Sequence, residues 1–273
     1  MNKPLIVFPF DHRGSLGKDI LQIPYPPQKP EDVTLFKATK ALLFTAFQAA
    51  QQAIPLVPMS ILVDGEFGAE IHAEAEAANI PHYLTLEASG GKLRLENPHE
   101  LPQIIRNLQP TGTKILVRYT LGQETVNAEA RQTILAAQKL SAERNIPFML
   151  EVLADGPHDT HDENVLSVVT ELKAHHVNPQ VWKLEGLEKV ETWESLRQIV
   201  RVDMIVLGRG ESSERVREWL ATAKKSGAVR GFAVGRTLWA SEIRAWRRGT
   251  ISYSQATELI ARNLQDFVNL WTS

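Results

Sequence analysis

The sequence predicts a (β/α)8 TIM barrel of the α/β class, built as a single domain from residues 1–273. Eight short, mainly apolar segments recur along the chain, and most are separated by stretches with helical periodicity. Strict alternation of strands and helices is typical of a parallel sheet. Eight such units in a chain of this length fit a closed barrel, for which about 250 residues is usual.

The predicted strands are residues 5–10, 59–64, 82–86, 114–119, 147–152, 181–185, 204–207 and 232–234. Amphipathic spacing between them predicts helices over residues 31–53, 66–78, 127–144 and 211–225. Asn97 is a candidate N-cap, followed by Pro98 at N1 and Glu100 at N3. Ser252 and Gln255 have the spacing of a capping box before a last helix.

A doubly wound sheet with a nucleotide site is the competing fold. That fold favours a glycine-rich turn after the first strand. Here that turn has only Gly14 and Gly17, which is weak evidence. No linker, fixed-period repeat or low-complexity tract divides the chain. The closed barrel is therefore the preferred prediction.

Composition limits the classes of partner. The net charge of -2 gives no electrostatic argument for nucleic acid or an anionic membrane. Without cysteine there is no thiol nucleophile, disulfide or thiolate metal site. The apolar run near the N-terminus is too short for a signal peptide, and no segment has the roughly 20 apolar residues of a membrane span. We expect a soluble cytoplasmic protein, with homo-oligomerisation left open.

Lys183 is the leading catalytic candidate. It lies in the segment Val181-Trp182-Lys183-Leu184-Glu185-Gly186, which is typical of a buried strand. Burial disfavours a charged ammonium, and a neutral amine is the nucleophile that forms an imine with a carbonyl. Glu151, on the preceding strand, should enter the barrel beside it and could transfer protons. The alternative is a structural ion pair of Lys183 with Glu151 or Glu185.

Polar side chains also end most of the other predicted strands, where the active sites of TIM barrels lie. Second-rank candidates for catalysis are Asp11 and Glu87. Candidates for substrate binding, which could equally be solvated at a strand end, are Arg13, Asp64, Ser89 and Arg118.

Two glycine-arginine turns follow the last two strands. Phosphate sites of these barrels often use the loops after strands seven and eight. Glycine permits close backbone approach, and guanidinium groups bind phosphate in a bidentate manner. The turns predict a phosphate site formed by Gly208, Arg209, Gly235 and Arg236. The alternative is that both arginines pair with nearby carboxylates.

The chain resembles a bacterial family known from the C-terminal domain of inositol-catabolism kinase fusions (DUF2090), sometimes assigned as a deoxy-keto-gluconate-phosphate aldolase. The most specific matching motif is Gly231-Phe232-Ala233-Val234-Gly235-Arg236-Thr237-Leu238-Trp239. The other matching segments are residues 10–13, 63–69, 181–186, 206–210, 249–252 and 267–271. The family is similar in turn to class I tagatose-bisphosphate aldolases.

This resemblance implies a class I aldolase, a carbon–carbon lyase that needs no metal or other cofactor. It implies that Lys183 forms the Schiff base, that Glu151 is the acid/base residue and that the substrate is a phosphorylated keto-sugar or keto-sugar acid. Two alternatives stay open. One is a non-catalytic barrel that binds a sugar phosphate. The other is a lyase or isomerase that uses Mg²⁺ or Mn²⁺, with oxygen ligands from Asp11, Asp64, Glu66, Glu87 and Glu151.

Overall fold

The computed structural model describes residues 3–273, which form a closed barrel of eight parallel strands. Each strand pairs with the next one in the sequence, and β8 pairs with β1. The strands are β1 (Leu5–Pro9), β2 (Met59–Asp64), β3 (His82–Thr85), β4 (Gly112–Thr120), β5 (Phe148–Asp155), β6 (Val181–Glu185), β7 (Asp203–Leu207) and β8 (Gly231–Ala233).

Helices surround the barrel and connect its strands. They are α1 (Pro30–Ala53), α2 (Ala69–Ala77), α3 (Leu101–Leu108), α4 (Glu124–Ala142), α5 (His161–Ala174), α6 (Val190–Val200), α7 (Ser213–Ser226), α8 (Arg236–Arg247) and α9 (Tyr253–Thr272). A π-helical turn, Leu16–Leu21, precedes α1, and α9 packs against α1 and α8. None of the helices within residues 3–273 has the length and apolarity to cross a membrane.

The barrel prediction is confirmed, and each predicted strand overlaps an observed one. The doubly wound alternative is wrong because β8 closes the sheet onto β1. The capping box of Ser252 and Gln255 is confirmed at the start of α9. The N-cap predicted at Asn97 is wrong, since α3 begins at Leu101. Asn97 has a left-handed φ of 41° and begins a turn, whereas an N-cap residue takes extended backbone.

Strand alternation divides the core into two regions. One face of each strand packs against the helices in the main core. The other face meets its counterparts on the barrel axis, in a cluster of Val7, Leu62, Tyr83, Met149, Val181, Ile205 and Ala233. Two residues beyond Met149 and Val181 stand Glu151 and Lys183. Side chains alternate with period two, so the same geometry directs both of these polar residues into the barrel.

Gly186, directly after β6, lies against the Trp219 indole of α7. A Cβ added at this glycine would come within 2.0–2.4 Å of three indole atoms. The indole is nearly buried, and its Nε1 donates a hydrogen bond to Glu188 Oε1 at 3.1 Å. We therefore expect Gly186→Ala to lower the free energy of unfolding by about 1–3 kcal/mol in urea denaturation, because the overlap must be relieved by shifting a packed ring.

Gly65→Ala is the matched control for this prediction. A Cβ at Gly65 would meet its nearest neighbours at 3.5 Å, which is ordinary van der Waals contact. Its free energy of unfolding should change by no more than about 0.5 kcal/mol. Equal effects of the two substitutions would contradict this account of the β6–α7 contact.

Candidate active site

A cavity of about 630 Å³ opens at the C-terminal ends of the strands. This volume is in the range of small-molecule sites, and the position is the one at which TIM barrels hold their active sites. Six polar side chains lie at its base. Asp11 and Glu87 lie in the loops after β1 and β3, and Thr85 is the last residue of β3. Lys114, Glu151 and Lys183 stand on β4, β5 and β6.

Lys183 and Glu151 meet inside the barrel. They are register partners on the adjacent strands β6 and β5. Lys183 Nζ lies 2.9 Å from Glu151 Oε2, and the two side chains are only 4% and 10% exposed. The structure thus places the predicted amine and carboxylate in direct contact, within a cavity that opens to solvent.

Lys114 is a second buried lysine, which the sequence reasoning missed. Its ammonium lies 2.8 Å from Asp11 Oδ2, 2.7 Å from Glu87 Oε1 and 3.0 Å from Glu151 Oε2. Because Glu151 Oε2 contacts both lysines, the two nitrogens are at most about 6 Å apart. A signal was available in the sequence. Lys114 lies four residues before Arg118 on β4, so the two side chains are on the same face of the strand. If Arg118 points into the barrel, Lys114 does too.

The pKa values at this cluster are set by burial acting against the two ammonium groups. Burial alone would lower the pKa of Lys114, but its three carboxylates raise that pKa well above the ordinary value. Burial is the largest single effect on Asp11 and Glu151 and would raise both pKa values. The neighbouring cationic groups, Lys114 first among them, together outweigh burial, so both pKa values are lowered. Glu87 differs, because burial prevails over Lys114 and its pKa is raised.

Two ammonium groups therefore face three carboxyl groups. If all five are charged, the cluster carries one negative charge in excess. Glu87 is the carboxyl group that most readily takes up a proton, because its pKa is the one that is raised. Its Oε2 is buried and has no hydrogen-bond partner in the part of the chain that the structure describes. The arrangement can thus hold an exchangeable proton close to the two lysines.

His12 also lines the cavity and was absent from the predicted site. Burial lowers the pKa of His12 to about 3, so the imidazole is neutral near pH 7. Its Nδ1 lies 3.8 Å from Asp11 Oδ1, and its ring stands edge-on to the Trp239 indole. Position alone, directly after Asp11 at the end of β1, was the signal for it.

Arg13 and Ser89 hold the loop that follows β3. The Arg13 guanidinium donates to the Glu96 carboxylate and to the Glu87 carbonyl oxygen. Ser89 Oγ accepts a hydrogen bond from the Gly14 N–H at 3.0 Å. Both residues line the cavity, but their polar groups already have protein partners. We therefore interpret both as residues that fix the wall of the cavity.

Asp64 does not line the cavity. Its Oδ2 lies 2.5 Å from Lys40 Nζ in a fully buried ion pair, and its Oδ1 accepts from the Glu66 and Phe67 N–H groups. Its carboxylate therefore connects the end of β2 to α1. The side chain is structural in position, which the sequence could not show because Lys40 lies 24 residues away on a helix.

The two glycine-arginine turns also lie outside the cavity lining. Arg209 Nη1 pairs with Glu185 Oε1 at 2.5 Å, and Arg236 Nη2 donates to the Arg209 carbonyl at 2.8 Å. Gly208 directly follows β7, and Gly235 is the N-cap of α8, of which Arg236 is the first residue. The phosphate site predicted at Gly208, Arg209, Gly235 and Arg236 stays a prediction, and each guanidinium has a protein partner in the structure.

The residues proposed for a metal alternative are separated. Lys114 stands between Asp11, Glu87 and Glu151, while Asp64 faces Lys40 and Glu66 accepts from Tyr25 Oη. Across residues 3–273, no group of three or more His, Asp or Glu side chains has an arrangement suited to a metal ion.

A protein-family model, described as an uncharacterized protein conserved in bacteria (DUF2090), matches residues 1–273. The chain belongs to this family. The resemblance predicted from the strand-end motifs is thereby confirmed. No curated protein sequence matches the DUF2090 chain.

Solved structures share the fold of the DUF2090 chain at low sequence identity. An archaeal fructose-1,6-bisphosphate aldolase, whose catalytic lysine is covalently bound to the carbinolamine intermediate of its substrate, has a TM-score of 0.63 and 12% identity over 99% of this chain and 94% of its own. A Corynebacterium glutamicum protein has a TM-score of 0.60 and 17% identity, covering 96% and 86%. A fructose-bisphosphate aldolase from Slackia heliotrinireducens has 0.54 and 14%, covering 94% and 85%. At these identities the likeness shows the fold alone.

Proposed function

We propose that this protein is a class I aldolase that cleaves a phosphorylated keto-sugar or keto-sugar acid through an imine on Lys183. The observation that carries the proposal is the contact of 2.9 Å between Lys183 Nζ and Glu151 Oε2 at the base of an open cavity. It is supported by the fold shared with an aldolase that forms a carbinolamine on its lysine. A proton acceptor in contact with a buried amine is the arrangement that activates an amine nucleophile.

The contacts favour Lys183 over Lys114 as the nucleophile. Lys114 has three carboxylate partners, and its raised pKa keeps it an ammonium. Lys183 has a single carboxylate partner, Glu151, which it shares with Lys114. Lys183 therefore gives up fewer ionic contacts than Lys114 would when its nitrogen forms a bond to carbon.

Imine formation then needs one proton to move in each direction. Glu151 takes a proton from the Lys183 ammonium, and the neutral amine adds to the substrate ketone to form a C–N bond. A proton then passes from the nitrogen to the former ketone oxygen, which gives the carbinolamine. Glu151 returns the proton to the hydroxyl of the resulting carbinolamine, and water leaves. The product is a protonated imine on Lys183, which withdraws electrons from the adjacent carbon.

Cleavage uses the same groups. A base removes the proton from the hydroxyl on the second carbon (β) from the imine carbon, and the bond between this β carbon and the α carbon breaks. Its electron pair enters the imine to give an enamine, and an aldehyde departs. The enamine takes a proton on carbon and is hydrolysed, which frees the ketone product and Lys183. We assign the acid/base steps to Glu151, with Glu87 as the alternative because its raised pKa suits a proton carrier.

Other parts of the site have supporting roles in this proposal. The Lys114 ammonium orients Asp11, Glu87 and Glu151 and compensates their charge. We keep Gly208, Arg209, Gly235 and Arg236 as a proposed phosphate site on the ground of the two turns after β7 and β8. A phosphate there would have to replace or extend the Arg209–Glu185 pair.

A borohydride experiment tests the proposal against its alternatives. We expect sodium borohydride to inactivate the enzyme only when a keto-sugar phosphate that it cleaves is present, because reduction fixes the imine, and we expect EDTA to leave turnover unchanged. Loss of turnover in EDTA without borohydride inactivation would favour a metal-dependent enzyme. Thermal stabilisation by sugar phosphates that survives Lys183→Met, without turnover of any of them, would favour a non-catalytic binding protein.

A further inference from the structure

The cavity extends from the lysine cluster toward one side of the barrel. Its lining comes from the loops after β1 and β3, from β4 to β6, and from the first turns of α4. On that side the wall is formed by Leu116 and Arg118 of β4 and by Val126, Glu129 and Ala130 of α4. The Glu129 carboxylate pairs with Lys92. The substrate chain beyond the imine therefore has space toward β4 and α4.

The cations of this cavity differ in whether a protein carboxylate satisfies them. Four have carboxylate partners, namely Arg13 with Glu96, Lys92 with Glu129 at 3.1 Å, Lys114 with its three carboxylates and Lys183 with Glu151. Among residues 3–273, the Arg118 guanidinium and the Lys18 ammonium have neither an ion pair nor a hydrogen bond. Asp19, the next residue after Lys18, also lines the cavity, and its carboxylate would repel an anion. Arg118 is thus the cation best placed to receive one.

The strand register gives the separation between Arg118 and the nucleophile. Lys183 pairs with Glu151, Glu151 pairs with Leu116, and Arg118 stands two residues further toward the cavity mouth. Two strand spacings and two residues along a strand place the Cα atoms of Lys183 and Arg118 about 12 Å apart. With both side chains pointing into the cavity, a substrate chain of about three to five carbons would connect the imine carbon to a group bound by Arg118.

We infer that Arg118 is a specificity-determining residue that binds an anionic group, phosphate or carboxylate, at the end of the substrate remote from the carbonyl that Lys183 attacks. A guanidinium binds either anion through two parallel hydrogen bonds. Leu116, Val126 and Ala130 line the same part of the cavity and supply apolar surface for the carbon chain of the substrate. The inference rests on the proposed function and adds a second anion contact, on the β4 side of the cavity, to the phosphate site proposed at the turns after β7 and β8.

Reductive trapping with matched ketones tests the inference. Xylulose and xylulose 5-phosphate differ only in the terminal anion, and 5-oxohexanoate offers a carboxylate at a similar distance from its ketone. In the unmodified protein, half-maximal borohydride trapping should need roughly 10- to 100-fold less of the preferred anionic ketone than of xylulose. Arg118→Ala should remove that difference without changing the xylulose value, and Arg118→Lys should restore part of it.

Arg262→Ala is the control, because it removes the same charge from an exposed position on α9, remote from the cavity. It should leave all trapping values unchanged. The comparison of the phosphate with the carboxylate shows which anion Arg118 selects. An equal response of xylulose and both anionic ketones, or an anion preference that survives Arg118→Ala, would overturn the inference.

Binding without chemistry separates this inference from the proposed function. In a Lys183→Met background no imine can form, so calorimetry reports binding of xylulose 5-phosphate and 5-oxohexanoate alone. Adding Arg118→Ala should lower the affinity for the preferred anion roughly 10- to 100-fold. An unchanged affinity would contradict the role of Arg118 whatever the trapping shows. Absence of any trapped adduct, with this Arg118 dependence intact, would contradict the imine alone.

Discussion

Lys183→Met should reduce kcat/KM for the cleaved substrate by at least about 10⁴-fold, since methionine has no amine with which to form an imine. The side chain keeps its approximate length, and the loss of its charge leaves no carboxylate without a cation. Glu151 still contacts Lys114 at 3.0 Å. We therefore expect a folded protein with little activity, measured by steady-state kinetics together with urea unfolding.

Lys37→Met is the control for this prediction. Lys37 pairs with Glu70 on the protein surface, where a single ion pair contributes little to stability. Its activity should match that of the unmodified protein. A Lys183→Met variant that retained more than about a hundredth of the original activity would show that another group performs the chemistry.

Lys114→Met should have the largest effect on stability. It removes the ammonium that three buried carboxylates share, and only Glu151 keeps a second cation, Lys183. Removing one partner of a buried ion pair costs about 3–5 kcal/mol, so we expect the free energy of unfolding to fall by this amount at pH 7. Activity should fall about 10²- to 10⁴-fold, because Glu151 loses the cation that orients it.

The loss of unfolding free energy in Lys114→Met should depend on pH. In the unmodified protein the pKa values of Asp11 and Glu151 are lowered, so their contribution to stability is present above the ordinary carboxyl pKa and is lost as the pH falls. Without Lys114, burial would instead raise the pKa of Asp11, which destabilises the fold as the pH rises. The stability difference between the two proteins should therefore narrow toward acid pH, as measured by urea unfolding between pH 4 and 8.

A double variant separates lost charge balance from lost packing. Lys114→Met combined with Glu87→Gln removes one of the unpaired carboxylates, and it should recover part of the stability lost in the single variant. No recovery, together with a stability difference that does not depend on pH, would mean that the loss arises from packing alone.

The fold could be predicted from the sequence because a barrel repeats one local pattern. Each strand is a short apolar segment, and the spacing of the helices between them allows a parallel sheet. The contact between Lys183 and Glu151 also followed from local reasoning, since both residues stand at inward positions of consecutive strands. Consecutive strands in a barrel are neighbours, so position along the chain determined position in space.

The remaining features of the site depend on contacts between distant segments. Lys114 comes early in β4, and for this strand the sequence reasoning considered only the residues at its end, Arg118 and Tyr119. Asp64 and Arg209 were predicted to bind substrate and phosphate because they stand at strand ends. In the structure Asp64 pairs with Lys40 and Arg209 pairs with Glu185, each from another element. Strand alternation indicates that a side chain points inward, but it does not identify the charge that it meets.

The site of the reductive adduct tests the central claim most directly. The protein is incubated with a keto-sugar phosphate that it turns over, reduced with borohydride, digested and analysed by peptide mass spectrometry. We predict that the mass of the reduced ketone fragment is found on Lys183, and that Lys114 is unmodified. An adduct on Lys114 or on another lysine, or no adduct while the same substrate is turned over, would contradict the proposed chemistry.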